Sequence, residues 1–157
     1  MKNNPLKPEE SHLYPVFHRI QVEVYEPLSL WLTFCASDQD VNDTFTDTDG
    51  DKIPPMKETE HATTRTVETI HGGWQGVLIR FDNLESMNDH ATVTHESVHA
   101  AMFFFNLIGS QLIDTADHEP LAYLAGFTAR KIHETYLWMS QLKQSGELQK
   151  QTEPQEQ

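Results

Sequence analysis

Residues 92–101 read Thr-Val-Thr-His-Glu-Ser-Val-His-Ala-Ala. The spacing puts His95 and His99 four positions apart, with Glu96 between them. On a helix, residues four apart lie on one face, so two imidazoles there can grip one Zn²⁺ ion. The glutamate beside the first histidine can hold and deprotonate a water at that metal, which is the chemistry of metal-assisted hydrolysis. No residue from Ala91 to Thr94, in the Ser97-Val98 spacer, or from Ala100 to Phe105 is charged. Beyond His99 the run is apolar nearly all round, a pattern that predicts a centrally buried helix. Unpaired polar groups in such a helix cost roughly 2–7 kcal/mol each, and a metal would satisfy the imidazoles. The competing explanation is a pair of helix histidines satisfied without metal.

A catalytic zinc needs a third protein ligand and an open position for water. Gly109 suits a left-handed cap at the end of the helix. A polar connection, Ser110 to His118, then leads to Glu119-Pro120-Leu121-Ala122-Tyr123-Leu124-Ala125-Gly126. Proline favours the first helical turn, so a second helix is expected to start at Glu119 or Pro120. Glu119 is the candidate third ligand if the connection folds back, with Asp117 and His118 as rivals. Its alternative role is that of an acidic residue at a helix N-terminus.

H-E-x-x-H followed 20 positions after its second histidine by a glutamate near a helix start resembles the gluzincin branch of zinc metallopeptidases. The resemblance implies one Zn²⁺ per chain, with His95, His99 and Glu119 as ligands and Glu96 as general base. The segments Pro27–Leu32, Gly73–Ile79, Thr94–Ala100 and Glu119–Gly126 are also similar to a family of small bacteriophage and prophage proteins that look like minimal gluzincins. That likeness spans residues 28–133 and implies a compact zincin domain. It also implies a sheet edge beside the site that binds the substrate backbone, placed within Trp74 to Ile79, with Trp74, Gln75, Gly76 and Val77 nearest. An ordinary interior strand is the alternative there. One position departs from the gluzincin pattern: Tyr123 stands where an acidic residue orients a ligand histidine. Asp117 or a backbone carbonyl would take over that role. Candidate oxyanion donors are Tyr123, His133, Tyr136 and His71. His118 or His71 as a fourth protein ligand would instead make the zinc structural.

The elements that must position these residues read as an α+β fold. A short, mostly antiparallel sheet packs on the H-E-x-x-H helix and on a long C-terminal helix. Ile20 to Val24 alternates apolar and polar, and Leu28 to Phe34 is a denser apolar run, so both are expected strands. Ser37 caps a short helix reaching about Phe45. Thr63 to Ile70 and Gln75 to Phe81 form a hairpin around Gly72-Gly73. The hairpin leads into the zinc helix, capped by Asn88 or Asp89. The last helix carries Leu121, Leu124, Ala125, Thr128, Ile132 and Tyr136 on one face. Residues 1–11 read as a flexible arm, 12–143 as a single domain and 144–157 as a polar tail.

Composition narrows the function. The chain has 157 residues and a formal net charge of −13, which argues against nucleic-acid backbones as partners. Neither a signal peptide nor a membrane-length apolar run is evident, so the expected setting is the cytoplasm of a bacterial host, with virion association as a further option. The single cysteine, Cys35, reads as a core residue. Asp47, Asp49 and Asp51, with Glu58 at the end of a twelve-position loop, would suit Ca²⁺. Lys52 stands where the sharp turn wants glycine, and a solvated acidic loop explains the run better. The expected function is zinc-dependent peptide-bond hydrolysis on a narrow range of peptide or protein substrates, in one form a regulatory peptidase with one target. The alternative is a non-catalytic, zinc-stabilised phage structural or interaction protein. The sequence carries no signal of oligomeric state.

Overall fold

The computed structural model describes residues 17–110 and 118–145. The elements run β1 (His18–Gln21), β2 (Ser29–Thr33), α1 (Asp38–Thr44), β3 (Phe45–Thr46), β4 (Ala62–Thr69), β5 (Gln75–Phe81), α2 (His90–Leu107) and α3 (Glu119–Ser145). The strands form one sheet in the order β1-β2-β5-β4-β3. All pairings are antiparallel except β2 with β5, which is parallel. The α+β architecture expected from the sequence is the one observed. One strand differs: β1 stops at Gln21, and Glu23–Tyr25 is a 3-10 turn, so the alternation over residues 20–24 does not continue as a strand.

The sheet buries both faces. Leu30, Leu32, Val77, Ile79 and Phe81 meet Ala100, Ala101 and Phe104 of α2 and Leu124, Ile132 and Met139 of α3 in the main core. The opposite face sends Trp31, Val67 and Leu78 against Phe17, Val41, Phe45 and Ile53. Consecutive residues of a strand point to opposite faces, so β5, buried on both, is apolar nearly throughout. The parallel pair brings two backbones very close at Gly76: a Cβ built there would lie 1.9 Å from the carbonyl oxygen of Ser29 and 2.7 Å from the Trp31 ring.

Local signals set the helix ends. Ser37 caps α1 in a capping box with Asp40. The carboxylate of Asp89 accepts the Thr92 N–H at 2.8 Å, which settles the start of α2. Gly109, at φ +69°, ends it: Ser110 N–H bonds the Phe105 carbonyl at 3.0 Å and Gly109 N–H the Asn106 carbonyl at 3.1 Å. This double bond around a left-handed residue is the Schellman arrangement. On α3, Leu124, Thr128 and Ile132 are buried, with Leu121, Ala125 and Tyr136 packed beside them, as the sequence stripe requires.

Gly76→Ala is expected to lower stability by about 3 kcal/mol or more, because the new methyl meets backbone rather than a side chain that can turn away. A thermal melt within about 2 °C of wild type would contradict this close approach. The approach to α2 supplies a pH dependence. Burial pushes the Asp82 carboxyl up, but hydrogen bonds from Ser86 and His61 outweigh it and leave the group below its ordinary 3.8. A carboxyl so lowered stabilises the fold fully above that ordinary value and loses the contribution as pH falls through the folded-state value. Asp82→Asn is therefore expected to weaken the protein by about 0.5–1 kcal/mol at pH 7, with the gap closing toward pH 2 in urea melts.

Candidate metal centre and active site

The helix α2 divides its residues sharply. Glu96, Ser97, Ala100, Ala101, Phe104 and Phe105 are buried, whereas His95, Val98, His99 and Met102 are exposed. This corrects the expectation of a helix buried all round: one stripe meets the sheet, and Val98 and Met102 remain 43% and 44% exposed despite their chemistry. The histidines therefore sit on a wet face, and the desolvation argument applies to Glu96 and Ser97, not to the imidazoles.

On that face the two imidazoles converge. Their Nε2 atoms lie 3.0 Å apart, with ring centroids at 4.6 Å and planes at 72°. The His99 ring also stacks on Phe103 at 6.3 Å and 19°. Two nitrogens bound tetrahedrally to zinc at about 2.0–2.1 Å would sit about 3.3 Å apart, so the pair fits a shared ion after a shift of a few tenths of an ångström. Without metal, 3.0 Å suits an N–H···N hydrogen bond between the two rings.

Glu96 leaves the helix toward the sheet. It is 6% exposed, and its Oε2 accepts the Thr64 hydroxyl of β4 at 2.5 Å. Thr64 faces α2 because β4 alternates: Val67 lies in the far core, and the even-numbered positions turn to the helix side. The alternation also orients the backbone. Thr69 N–H bonds the Trp74 carbonyl and Asp82 N–H the His61 carbonyl, while Ile70 N–H bonds Thr44 on the other side. In an antiparallel ladder this parity persists, so the N–H and C=O of Ala62, Thr64 and Thr66 point away from β5. The short β3 pairs only with Glu68 and Thr69. Among the described residues, no strand covers β4 from Ala62 to Val67 on that side.

The substrate-edge expectation is thereby corrected. Gly76 and Val77 pair with β2 on one side and with β4 on the other, so β5 is interior and the open edge beside α2 belongs to β4. Gln75 pairs with Glu68. Trp74 lies in the hairpin turn, 4.9 Å from the Arg19 guanidinium, and lines a cleft of about 440 Å³ with Tyr25, Leu28, Leu107 and Ile108. That cleft borders the C-terminal end of α2, and Leu107 is roughly 12 Å along the axis from His99.

The remaining candidates are scattered. Glu119 is the first residue of α3 and is exposed, as is His118. Among the described residues, no three His, Cys, Asp or Glu side chains gather to hold a metal ion. Glu119 is thus not brought to the imidazole pair, and residues 111–117, which connect it to α2, lie outside the described residues together with Asp117. Tyr123 is 59% exposed, His133 is exposed and Tyr136 packs on the main core. No hydrogen bond joins any of the three to Glu96 or the histidines among the described residues. His71 is exposed in the hairpin turn. In the acidic loop, Asp47 accepts the N–H groups of Asp49 and Asp51 at 2.9 and 2.8 Å, so its carboxylate folds the loop on itself. Sequence reasoning missed Thr64. Strand alternation alone puts it on one face with Ala62, Thr66 and Glu68, and only the packing of α2 selects it.

No protein-family model matches the chain, and no curated protein or solved structure is detectably similar to it.

The imidazole pair makes a measurable claim. Zinc at a hundredfold over its dissociation constant is expected to raise unfolding stability by about 2.7 kcal/mol. His99→Ala should abolish that increment in zinc-titrated melts while changing metal-free stability by under about 0.5 kcal/mol, as befits an exposed residue. A zinc increment undiminished in His99→Ala would remove the pair as a metal site.

Proposed function

We propose that the chain is a zinc-dependent peptide-bond hydrolase with a narrow substrate range, a compact gluzincin-like enzyme acting in the cytoplasm of a bacterial or phage-infected cell. The observation that carries this reading is an adjacency: two convergent imidazoles and a buried carboxylate on one helical turn, with the carboxylate bonded to a strand whose edge is open.

His95 and His99 would hold the zinc, and the gluzincin resemblance would make Glu119, which stands apart from the pair at the start of α3, the third ligand. When bound, the metal would supply Lewis-acid chemistry, polarising a carbonyl and lowering the pKa of a bound water toward neutrality. Glu96 takes a proton from the attacking water and passes it to the leaving amine. Glu96 is buried as a residue, and Thr64 holds one of its carboxylate oxygens. The outward N–H and C=O groups of Thr64 and Thr66 suit an extended peptide, which would satisfy them as an added strand. Exposed Val98 and Met102 beside the histidines favour one other reading, a zinc-holding interaction protein without turnover.

One comparison separates the two. Zinc-loaded wild type and Glu96→Gln are incubated with a peptide library from a digested bacterial proteome, and new termini are read by mass spectrometry. The expected result is cleavage by wild type, a loss of at least about 100-fold in Glu96→Gln, and equal zinc content in both. Wild type that cuts nothing would refute the hydrolase, and Glu96→Gln that cuts equally well would refute Glu96 as its base.

A further inference from the structure

We infer that Thr64 is the positioning residue for the Glu96 base and links it to the open edge of β4; this rests on the hydrolase reading above. Three observations meet at this residue. Its hydroxyl donates to Glu96 Oε2 at 2.5 Å, within the short range of O–H···O⁻ bonds. Glu96 is buried, so that bond is not exchanged with bulk water. The backbone N–H and C=O of the same threonine lie on the uncovered side of β4. A peptide paired there would hydrogen-bond the backbone of the residue whose side chain holds the base.

The consequence is a division of labour between the two carboxylate oxygens. Oε2 is pinned by Thr64, and Oε1 is the oxygen left to work. Water loses one proton to Oε1 as its oxygen bonds the peptide carbonyl carbon. The C–N bond then breaks, and the same proton goes to the departing nitrogen, giving a carboxylic acid and an amine with Glu96 restored. A carboxylate lacking the Thr64 bond can rotate about its terminal torsion, and misplacing a catalytic group by about 1 Å costs on the order of 100-fold in rate. A peptide on the edge strand would also restrain Thr64, so binding and base alignment reinforce each other. Serine keeps the donor, whereas valine keeps the β-branched shape and removes it.

The test uses the full chain as wild type, Thr64→Val, Thr64→Ser, Glu96→Gln and the Thr64→Val/Glu96→Gln double variant. The best-cleaved peptide of the proteome library serves as substrate. Thr64→Val is expected to lower kcat about 10- to 100-fold with KM within about twofold. Thr64→Ser should recover kcat to within about threefold, and Thr64→Val should add nothing in the Glu96→Gln background. A readout independent of turnover is the Thr64 hydroxyl proton in the NMR spectrum, expected as a slowly exchanging downfield resonance that disappears in Thr64→Val and moves upfield in Glu96→Gln, where a neutral amide oxygen replaces the carboxylate. Wild-type kcat in Thr64→Val, or a KM effect alone, would overturn the positioning role while leaving the hydrolase intact. Cleavage absent in wild type overturns both, and a surviving hydroxyl resonance then marks the contact as purely structural.

Discussion

A helix laid on a sheet has one stripe to bury, and the placement of everything else in this site follows from which stripe α2 uses. Ala100, Ala101, Phe104 and Phe105 drive that choice by joining the main core where α2 packs on β4, β5 and α3. Once they face the sheet, the helical repeat carries Glu96 and Ser97 inward and turns His95, Val98 and His99 outward. Base and ligands are separated by a rotation of roughly 100° about one axis. The metal face and the protected carboxylate are two consequences of the same apolar contact.

A carboxylate taken out of water is a liability unless something replaces the lost hydration. Thr64 supplies that replacement with one short hydrogen bond across the helix–sheet interface. Arg80 meets a similar demand on the opposite face, donating to Asp38 and to the Ala36 carbonyl from a buried position on β5. Neutral and charged donors thus serve the two faces differently. The α2 side keeps its one buried acid bonded to a neutral hydroxyl, while the α1 side pairs a buried cation with an acid in a helix's first turn.

The sheet order decides where a peptide can dock. The parallel pairing of β2 with β5, made possible by the missing Cβ at Gly76, puts β5 in the middle and leaves the unpaired stretch beside α2 on β4. A mostly antiparallel sheet built on the β4–β5 hairpin is readable from Gly72-Gly73 and the flanking runs. That β2 inserts on the other side of β5 is not, because parallel partners are joined by long crossovers that leave no local trace. The expectation of an edge at Trp74–Val77 failed for that reason.

The sequence by itself determined the features that depend on near neighbours. Ser37 starts one helix, Asn88 or Asp89 the next and Glu119 or Pro120 the last, Gly109 ends one, and the i, i+4 spacing puts His95 and His99 on one face. Each of these reads from a few consecutive residues, since caps, turns and one helical face are short-range geometry. Tertiary structure alone decided which face of α2 is wet, that Thr64 rather than another β4 threonine meets Glu96, and that β4 carries the open edge. Those outcomes arise from contacts between residues 32 positions apart or more, such as Thr64 with Glu96 and Leu30 with Val77. They are set by competition among apolar surfaces for burial, which no local pattern encodes.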